Sequence, residues 1–231
     1  MQIVPGIHSI GQDKGGNVHA YLLDDGQGLT LIDTLFDDDA KVVLAEIAQM
    51  GRTPRDLKQI VLTHAHKSHV GGLAALKKAS GATVSSHAWE VDIIAGRRKA
   101  TPVGKIPRKP LAVVHLQLGL AFGFGRHVPC EVDRQLKSGD RVGPLEVVAT
   151  PGHTPGCLSL WWPERRALFV GDVIATWPEL APGWPGLTLD NPQNLRSVHQ
   201  LVDFGSAQIL GVGHGEPITS DAAARVREMA G

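Results

Sequence analysis

The sequence predicts an α/β fold in which strands and helices alternate along a single domain spanning residues 1–231. Three observations support this prediction. Short apolar runs of strand length alternate with stretches of helical apolar spacing in both halves of the chain. No linker-like stretch divides the two halves, and 231 residues with 42% hydrophobic side chains can bury one substantial core.

The first two strands are predicted on either side of a glycine turn. The runs HAYLLDD (19–25) and GLTLIDT (28–34) are rich in apolar residues and flank Gly26 and Gly28, which is typical of a β-hairpin. A helix is expected next, because acidic residues at 37–39 precede apolar positions with helical spacing and a glycine follows them.

The alternation continues through the middle of the chain. QIVLT (59–63) has the length and composition of a short buried strand, and residues 69–81 are predicted to form a helix that ends at Gly81. Another strand is expected at 82–86, followed by a helix over 88–96.

Residues 97–130 interrupt this pattern. The segment begins with a basic, proline-rich stretch and continues with an apolar stretch that contains several glycines. A long irregular insertion in a compact domain is typical of a lid or binding loop, so we expect a substrate wall formed with Trp177 and Trp184. The alternative is a surface loop followed by one core helix.

The second half repeats the alternation of the first. The runs PLEVVAT (144–150), CLSLWW (157–162) and ALFVGD (167–172) are predicted as successive strands. A helix over 192–203, a strand over 208–213 and a final helix over 221–230 are expected to complete the fold.

Composition argues against several classes of function. The 23 basic and 23 acidic side chains give no net charge, so no general attraction to nucleic acid is expected, and the basic run at 97–109 is typical of a solvated loop. No apolar run approaches the roughly 20 residues that span a bilayer, and the first residues lack the pattern of a signal peptide. The two cysteines, Cys130 and Cys157, suit a reducing compartment, so a cytoplasmic protein is expected.

Metal or proton chemistry is indicated by 11 histidines, three of which lie in the stretch THAHKSHVGG (63–72). His64 and His66 face the same side if the preceding strand continues through them, and His69 joins them if a helical turn begins near Ser68. The alternative to a metal site is three surface histidines in a turn.

Other candidate ligands follow other predicted strands. His153 lies in TPGHTPG, Asp172 in LFVGD and His214 in GVGHG. Because α/β folds place their sites beyond the carboxyl ends of strands, these residues are expected to meet the histidine cluster.

The series THAHKSHVGG, TPGHTPG, VGD and GHG, together with NVHAYLLDDGQGLTLIDT, resembles the metallo-β-lactamase superfamily over nearly the whole chain. The resemblance is strongest to its glyoxalase II-like and lactonase-like hydrolases. It implies an αββα sandwich, with two mixed β-sheets between outer helices and a metal site at one edge. Such a site would cleave an ester, thioester or lactone, with a β-lactam as a less favoured substrate because no export signal is evident.

The resemblance also implies a ligand set. One metal would bind His64, His66 and His153, a second would bind residue 68, His69 and His214, and Asp172 would bridge the two. The family pattern is His-x-His-x-Asp-His, and Ser68 stands here in place of the aspartate. Asp33, in LIDT, matches a position near the family's site, where it would orient a ligand or serve only the structure.

Ser68 makes the second metal site the less certain one. A hydroxyl is a poor ligand beside imidazoles and carboxylates, so we expect one firmly bound Zn²⁺ and a second site that is weak or empty, with iron or manganese as alternative metals. Bound metal would lower the pKa of water to roughly 7 for attack on a carbonyl. Asp172 and Ser68 are the expected catalytic residues, with slower chemistry than an aspartate at 68 would give.

Three further expectations concern neighbouring side chains. Ser68 is expected to cap the helix that begins at His69. Lys67 is expected to face solvent, with substrate binding as its alternative. Cys157 is expected to be a buried small hydrophobe, with approach to the metal as its alternative.

The sequence therefore predicts a metallohydrolase acting on a small molecule, as a monomer or homodimer. Two alternatives remain: a mono-iron dioxygenase of sulfur compounds with part of the same ligand set, and a low-activity metal-binding member that has lost turnover through Ser68.

Overall fold

The computed structural model describes residues 1–103, 111–122, 125–184 and 186–231. Fourteen strands lie in these ranges: β1 (Gln2–Val4), β2 (Ile7–Gln12), β3 (Val18–Asp24), β4 (Leu29–Ile32), β5 (Leu57–Val61), β6 (Thr83–His87), β7 (Arg134–Leu136), β8 (Arg141–Val142), β9 (Leu145–Ala149), β10 (Leu158–Trp162), β11 (Ala167–Gly171), β12 (Ile174–Ala175), β13 (Ala181–Pro182) and β14 (Ile209–Val212).

The helices of the described ranges are short. They comprise α1 (Lys14–Asn17), α2 (Lys41–Gln49), α3 (Lys67–Val70), α4 (Leu73–Ser80), α5 (Val91–Ile94), α6 (Val114–Ala121), α7 (Asn191–Leu201) and α8 (Ala222–Ala230), with 3₁₀ turns at Pro54–Asp56, Leu111–Val113 and Pro163–Arg165. None of the helices in the described residues is long and apolar enough to cross a membrane.

Two mixed sheets account for most of the strands. The first has seven strands in the order β1 to β7, antiparallel from β1 to β4 and parallel from β4 to β7. The second has the order β14-β11-β10-β9-β8, and its β14–β11 pair is parallel while the others are antiparallel. β12 and β13 form a separate two-stranded ribbon.

The core lies in three layers because strands of both sheets are apolar on both faces. In β3, Tyr21 and Leu23 face the strands of the second sheet, whereas Ala20 and Leu22 pack with helices α2 and α4. The outer face of the second sheet packs with α7 and α8. Helix, sheet, sheet and helix therefore stack in turn, which confirms the predicted αββα sandwich.

The predicted elements agree with the structure best where apolar periodicity is strong. The predicted helix over 69–81 is wrong as one element, because α3 and α4 are separated at Gly71 and Gly72. Both glycines pack closely against the backbone of residues 34–36, where a Cβ at Gly71 would lie 2.1 Å from the carbonyl oxygen of Phe36. Strands β1 and β2 had no sequence prediction.

The predicted insertion at 97–130 is partly described. Residues 104–110 and 123–124 of the insertion lie outside the described residues. The apolar stretch of the insertion contains the turn Leu111–Val113 and helix α6. Val113 and Leu116 pack with Trp184 and Leu187 near the end of the second sheet. This packing brings the insertion to the edge where the candidate ligands lie.

Candidate metal centre

Five of the six candidate ligands lie in loops that follow the carboxyl ends of strands, and His69 lies in the short helix α3 just after one of these loops. His64 and His66 come after β5, His153 after β9, Asp172 after β11 and His214 after β14. The strand β5 ends at Val61, so the condition named for the convergence of His64 and His66, a strand that continues through them, is not met. The loop still brings both imidazoles to the edge that the two sheets share.

The first group consists of His64, His66, His153 and Asp172, all buried, with one potential ligand atom from each within 4.8 Å of the others. His66 Nδ1 lies 3.0 Å from both His64 Nε2 and His153 Nε2. Asp172 Oδ2 lies 3.2 Å from His153 Nε2 and 3.6 Å from His64 Nε2.

The second group consists of His69, His214 and the same Asp172. The two Nε2 atoms lie 3.3 Å apart. Asp172 Oδ1 lies 3.3 Å from His69 Nε2, and Asp172 Oδ2 lies 3.4 Å from His214 Nε2. Asp172 is thus shared by both groups, and its close approach to the chain at Gly213 requires glycine, since a Cβ there would lie 2.1 Å from Oδ1.

Hydrogen bonds on the opposite side of the rings orient four of the five imidazoles. His69 Nδ1 donates to Asp33 Oδ2 at 2.8 Å, and His214 Nδ1 donates to the carbonyl oxygen of Gly16 at 2.7 Å. His64 and His153 make longer contacts through Nδ1, to Thr63 Oγ1 at 3.2 Å and Thr188 Oγ1 at 3.4 Å. Such bonds fix the tautomer and leave Nε2 free toward the centre.

The protonation states give a donor set for a cation. Burial lowers the pKa of His64 and His66 well below the ordinary value, and that of His153 to about 4, so these imidazoles have free lone pairs. Burial would raise the pKa of Asp172, but the surrounding histidines hold it well below its ordinary value. The first group is therefore three neutral imidazoles and one carboxylate.

His69 differs from these histidines. Burial alone would lower its pKa, but the carboxylates of Asp172 and Asp33 raise it to about 10. A metal that binds at His69 Nε2 must displace a proton, since only the neutral imidazole is a ligand.

The unmet hydrogen-bonding capacity of Asp172 tests whether the site fits a metal. Both carboxylate oxygens are buried, and within the described part of the chain neither accepts a hydrogen bond, although four histidine nitrogens lie within 3.6 Å. A buried ionised carboxylate is costly unless a cation compensates it, and without metal the protonated His69 is that cation. A metal bound here would replace the proton of His69 as the compensating charge. The donor set of nitrogen and oxygen atoms suits a divalent transition metal.

Two expectations about the histidine-rich stretch are wrong. Ser68 does not cap the helix, because α3 begins at Lys67, His66 holds the N-cap position and Ser68 already has helical backbone. Lys67 does not face solvent: its side chain is 8% exposed, forms an ion pair with Asp38 and lies with Nζ 5.4 Å from the ring centre of Phe36. The loop of residues 36–38 folds over it.

A cavity of about 130 Å³ opens at the centre. Its described lining consists of Gly15, Phe36, His66, Lys67, Ser68, His115, Leu116, Gly119, Gly125, Trp184 and Leu187. Trp184 stacks on His214 with ring centres 3.4 Å apart and also packs against Trp177 at 6.2 Å. Of the two tryptophans expected to form a substrate wall, Trp184 lines the cavity directly and Trp177 supports it.

Glu90 is a residue of this site that the sequence did not single out. It is fully buried and accepts hydrogen bonds from the backbone N–H of Ala65 at 3.1 Å and from Thr154 Oγ1 at 2.5 Å. These partners neighbour His64, His66 and His153, so Glu90 ties together the two loops that carry the first group. Its only sequence signal is an acidic residue inside an apolar helical stretch.

Cys157 packs beside this carboxylate. It is buried, its Sγ lies 3.3 Å from Thr154 Oγ1, and burial raises the pKa of its thiol. It belongs to the apolar cluster under α7 and α8, in agreement with its interpretation as a small core residue.

Glu90→Gln is expected to change how stability depends on pH. Burial raises the pKa of Glu90 from 4.5 to about 7, against the hydrogen bonds from Thr154 and Ala65 and the charge of Arg98. A raised pKa in the folded state gives stability that is present below pH 4.5 and lost as pH rises through 7, up to about 3 kcal/mol. The glutamine stays neutral, so the free energy of unfolding of the variant should rise relative to that of the wild type between pH 5 and pH 8.

Urea denaturation of the metal-free proteins at both pH values measures this gain. Glu131→Gln, an exposed carboxylate, is the control and should follow the wild type. An equal difference between Glu90→Gln and the wild type at both pH values would show that Glu90 ionises in the folded chain as it does when unfolded.

Asp33→Asn is expected to weaken metal binding at the second group by roughly 10- to 100-fold, the usual effect of removing a partner that orients a ligand. Asp33 also accepts hydrogen bonds from the backbone N–H of Thr63 at 2.8 Å and from its hydroxyl at 2.7 Å, so it holds two ligand loops together. Titration against a chromophoric chelator measures the affinity. Asp92→Asn, on the surface, should bind as the wild type does, and an unchanged affinity in Asp33→Asn would rule out this orienting role.

The fold and donor set together define a class: two-sheet sandwiches with a histidine and aspartate metal centre at one edge. The family model of the metallo-beta-lactamase superfamily matches residues 13–214, and the chain belongs to that superfamily. This confirms the family resemblance seen in the sequence.

Three proteins illustrate the similarity. The uncharacterized protein YobT of Bacillus subtilis (strain 168) is 28% identical over 211 residues, which cover 88% of this chain and 85% of YobT. A hydroxyacylglutathione hydrolase of Hyphomonas neptunium is 30% identical over 162 residues, 68% of this chain and 47% of that relative, so the match spans about half its length. The crystal structure of BJP-1, a subclass B3 metallo-beta-lactamase of Bradyrhizobium japonicum, has a TM-score of 0.72 at 24% identity. The superposition covers 100% of this chain and 88% of the BJP-1 chain.

Proposed function

We propose that this chain is a metal-dependent hydrolase that cleaves an ester, thioester or lactone. The observation that carries the proposal is the convergence of three neutral imidazoles and one buried carboxylate beside a cavity that opens at His66 and Ser68. His64, His66, His153 and Asp172 would hold one Zn²⁺ firmly. His69 and His214, with Asp172 shared, would form a weaker second site.

A bound divalent metal would supply an acidified water as nucleophile and a Lewis acid for the carbonyl oxygen. The chain's own residues define where this chemistry takes place. Asp172 stays ionised at neutral pH and contributes the negative charge of the centre. Trp184 and Leu187 form a buried wall beside it that limits the access of water.

Ser68 limits the proton transfers that the protein can assist. A neutral hydroxyl does not act as a general base near pH 7, whereas a carboxylate does. Ser68 is buried on the cavity wall, next to the ligands His66 and His69. We therefore propose slow turnover, with Asp172 or solvent accepting the proton.

The relatives support the reaction type rather than a substrate. One is named a hydroxyacylglutathione hydrolase and one solved structure is a metallo-beta-lactamase, so a thioester and a β-lactam both belong in a test. The substrate is proposed to be a small molecule, and the protein a monomer or homodimer. Two free cysteines favour a cytoplasmic location.

A substrate panel tests the proposal. Nitrophenyl esters, an acylated glutathione thioester, simple lactones and a cephalosporin are assayed with zinc-loaded protein, with and without a chelator, and the purified protein is analysed for metals. Chelator-sensitive hydrolysis with close to one zinc per chain is expected. No turnover of any substrate by the zinc-loaded protein, or bound iron with oxidation of a sulfur compound, would overturn it.

A further inference from the structure

We infer that the cavity beside the metal centre binds the acyl group of the substrate, and that this group is apolar: an unbranched aliphatic chain or an aromatic ring. The inference rests on the proposed function, because it assumes that the scissile carbonyl lies at the centre. It goes beyond that function by naming which half of the substrate enters the cavity and what chemistry that half has.

The walls of the cavity are largely apolar, and Trp184 and Leu187 are held in place by burial. Phe36, Leu116, Trp184 and Leu187 supply its large apolar side chains, and three glycines add backbone surface. Trp184 and Leu187 are 3% and 1% exposed, and the backbone N–H of Trp184 donates to Thr188 Oγ1 at 3.1 Å. A preformed apolar wall favours an apolar ligand, because its surface leaves water without the protein reorganising.

The wall and the metal centre are continuous. Trp184 stacks on the ring of His214 on one side and lines the cavity on the other. His66 is at once a candidate ligand of the first group and part of the lining. A carbonyl at the centre would therefore have its substituent against Trp184, with no polar layer between them.

Lys67 is the cationic side chain of the described lining, but its charge is already paired and does not favour an anionic ligand. Its Nζ forms an ion pair with Asp38 and lies 5.4 Å from the ring centre of Phe36, and the side chain is 8% exposed. The pair neutralises the charge of Lys67 in the lining. The other polar residues of the described lining are His66 and Ser68, beside the ligands, and the exposed His115 on α6. The remaining large side chains that the acyl group would meet are aromatic or aliphatic.

The length of the acyl chain tests the inference. Zinc-loaded protein is assayed with 4-nitrophenyl esters from acetate to octanoate, which share one leaving group. Burial of each methylene should raise kcat/KM by up to roughly fourfold until the cavity is full. A parallel series of acetate thioesters with lengthening thiols should show a much weaker dependence.

A pair of variants on α6 supplies the control. Leu116→Trp fills the cavity and should lower kcat/KM for octanoate at least tenfold relative to acetate. Leu118→Trp lies on the same helix outside the described lining, at 37% exposure, and should keep the wild-type ratio.

The possible results separate the two proposals. Hydrolysis of acetate with a flat acyl dependence, or a dependence confined to the leaving group, would overturn the inference and leave the hydrolase function standing. The hydrolase function fails only if no substrate of the whole panel is hydrolysed. If no ester is hydrolysed, calorimetric binding of methyl ketones from acetone to 2-octanone still decides the cavity assignment. An affinity for ketones that rises with chain length in the wild type and falls in Leu116→Trp supports the cavity assignment. Equal affinities for short and long ketones in the wild type overturn it.

Discussion

Asp172→Asn is expected to lower metal affinity at both groups of ligands by well over 100-fold and to abolish chelator-sensitive hydrolysis. Removing a partner that only orients a ligand costs roughly 10- to 100-fold, and Asp172 is placed as a ligand itself. It contacts His64 and His153 in one group and His69 and His214 in the other at 3.2 to 3.6 Å. One substitution therefore affects both groups, which no single histidine substitution can do.

The charge of Asp172 is the reason for the size of this effect. Its pKa lies well below the ordinary value, so it is an anion throughout the pH range of the assay. Asparagine has nearly the same shape but leaves a divalent cation among neutral imidazoles in a buried site, where an uncompensated charge is costly.

Metal content after dialysis and turnover of a nitrophenyl ester measure the outcome for Asp172→Asn. Asp203→Asn, on the exposed surface, is the matched control and should retain both. One zinc per chain in Asp172→Asn with wild-type turnover would show that the histidines alone form the working centre.

Ser68→Asp is expected to fill the second metal site and to raise turnover by about 100-fold. This is the low end of the contribution of roughly 10²- to 10⁴-fold that positioned proton transfer makes to catalysis. Ser68 is 6% exposed and is followed directly by His69, so a carboxylate at this position would add a second anion to the centre. Two divalent cations close together require such compensating charge.

Stability gives a second readout that does not depend on activity. A carboxylate introduced at this buried position is costly without a cation, so metal-free Ser68→Asp should melt below the wild type. Zinc should then raise its Tm by more than it raises that of the wild type, because the metal binds the folded state.

Ser68→Asn separates charge from size. It has the shape of aspartate without the charge and should show neither the second metal nor the gain in turnover. If Ser68→Asp and Ser68→Asn behave alike, or if the wild type already holds two metals after dialysis, the view of Ser68 as the missing carboxylate is wrong.

The sequence by itself determined the fold class, the order of most elements and the residues proposed as ligands. These follow from local patterns: continuous apolar runs of strand length such as β3, helical apolar spacing in α2, and ligands placed just beyond strands, as Asp172 is beyond β11. The family resemblance then assigned those ligands to two metals.

Only the tertiary structure decided how these residues are held. Glu90 bonds Thr154 across 64 positions and Asp33 bonds His69 across 36, and no local pattern records such pairings. Lys67 was misplaced for the same reason, since the loop of residues 36–38 folds over its side chain. Ser68 was misplaced because the helix begins at Lys67 and not at His69. The cavity, with walls from α3, α6 and the loop of Trp184, exists only where segments distant in sequence pack together, because packing depends on three-dimensional distance and sequence patterns report only neighbours along the chain.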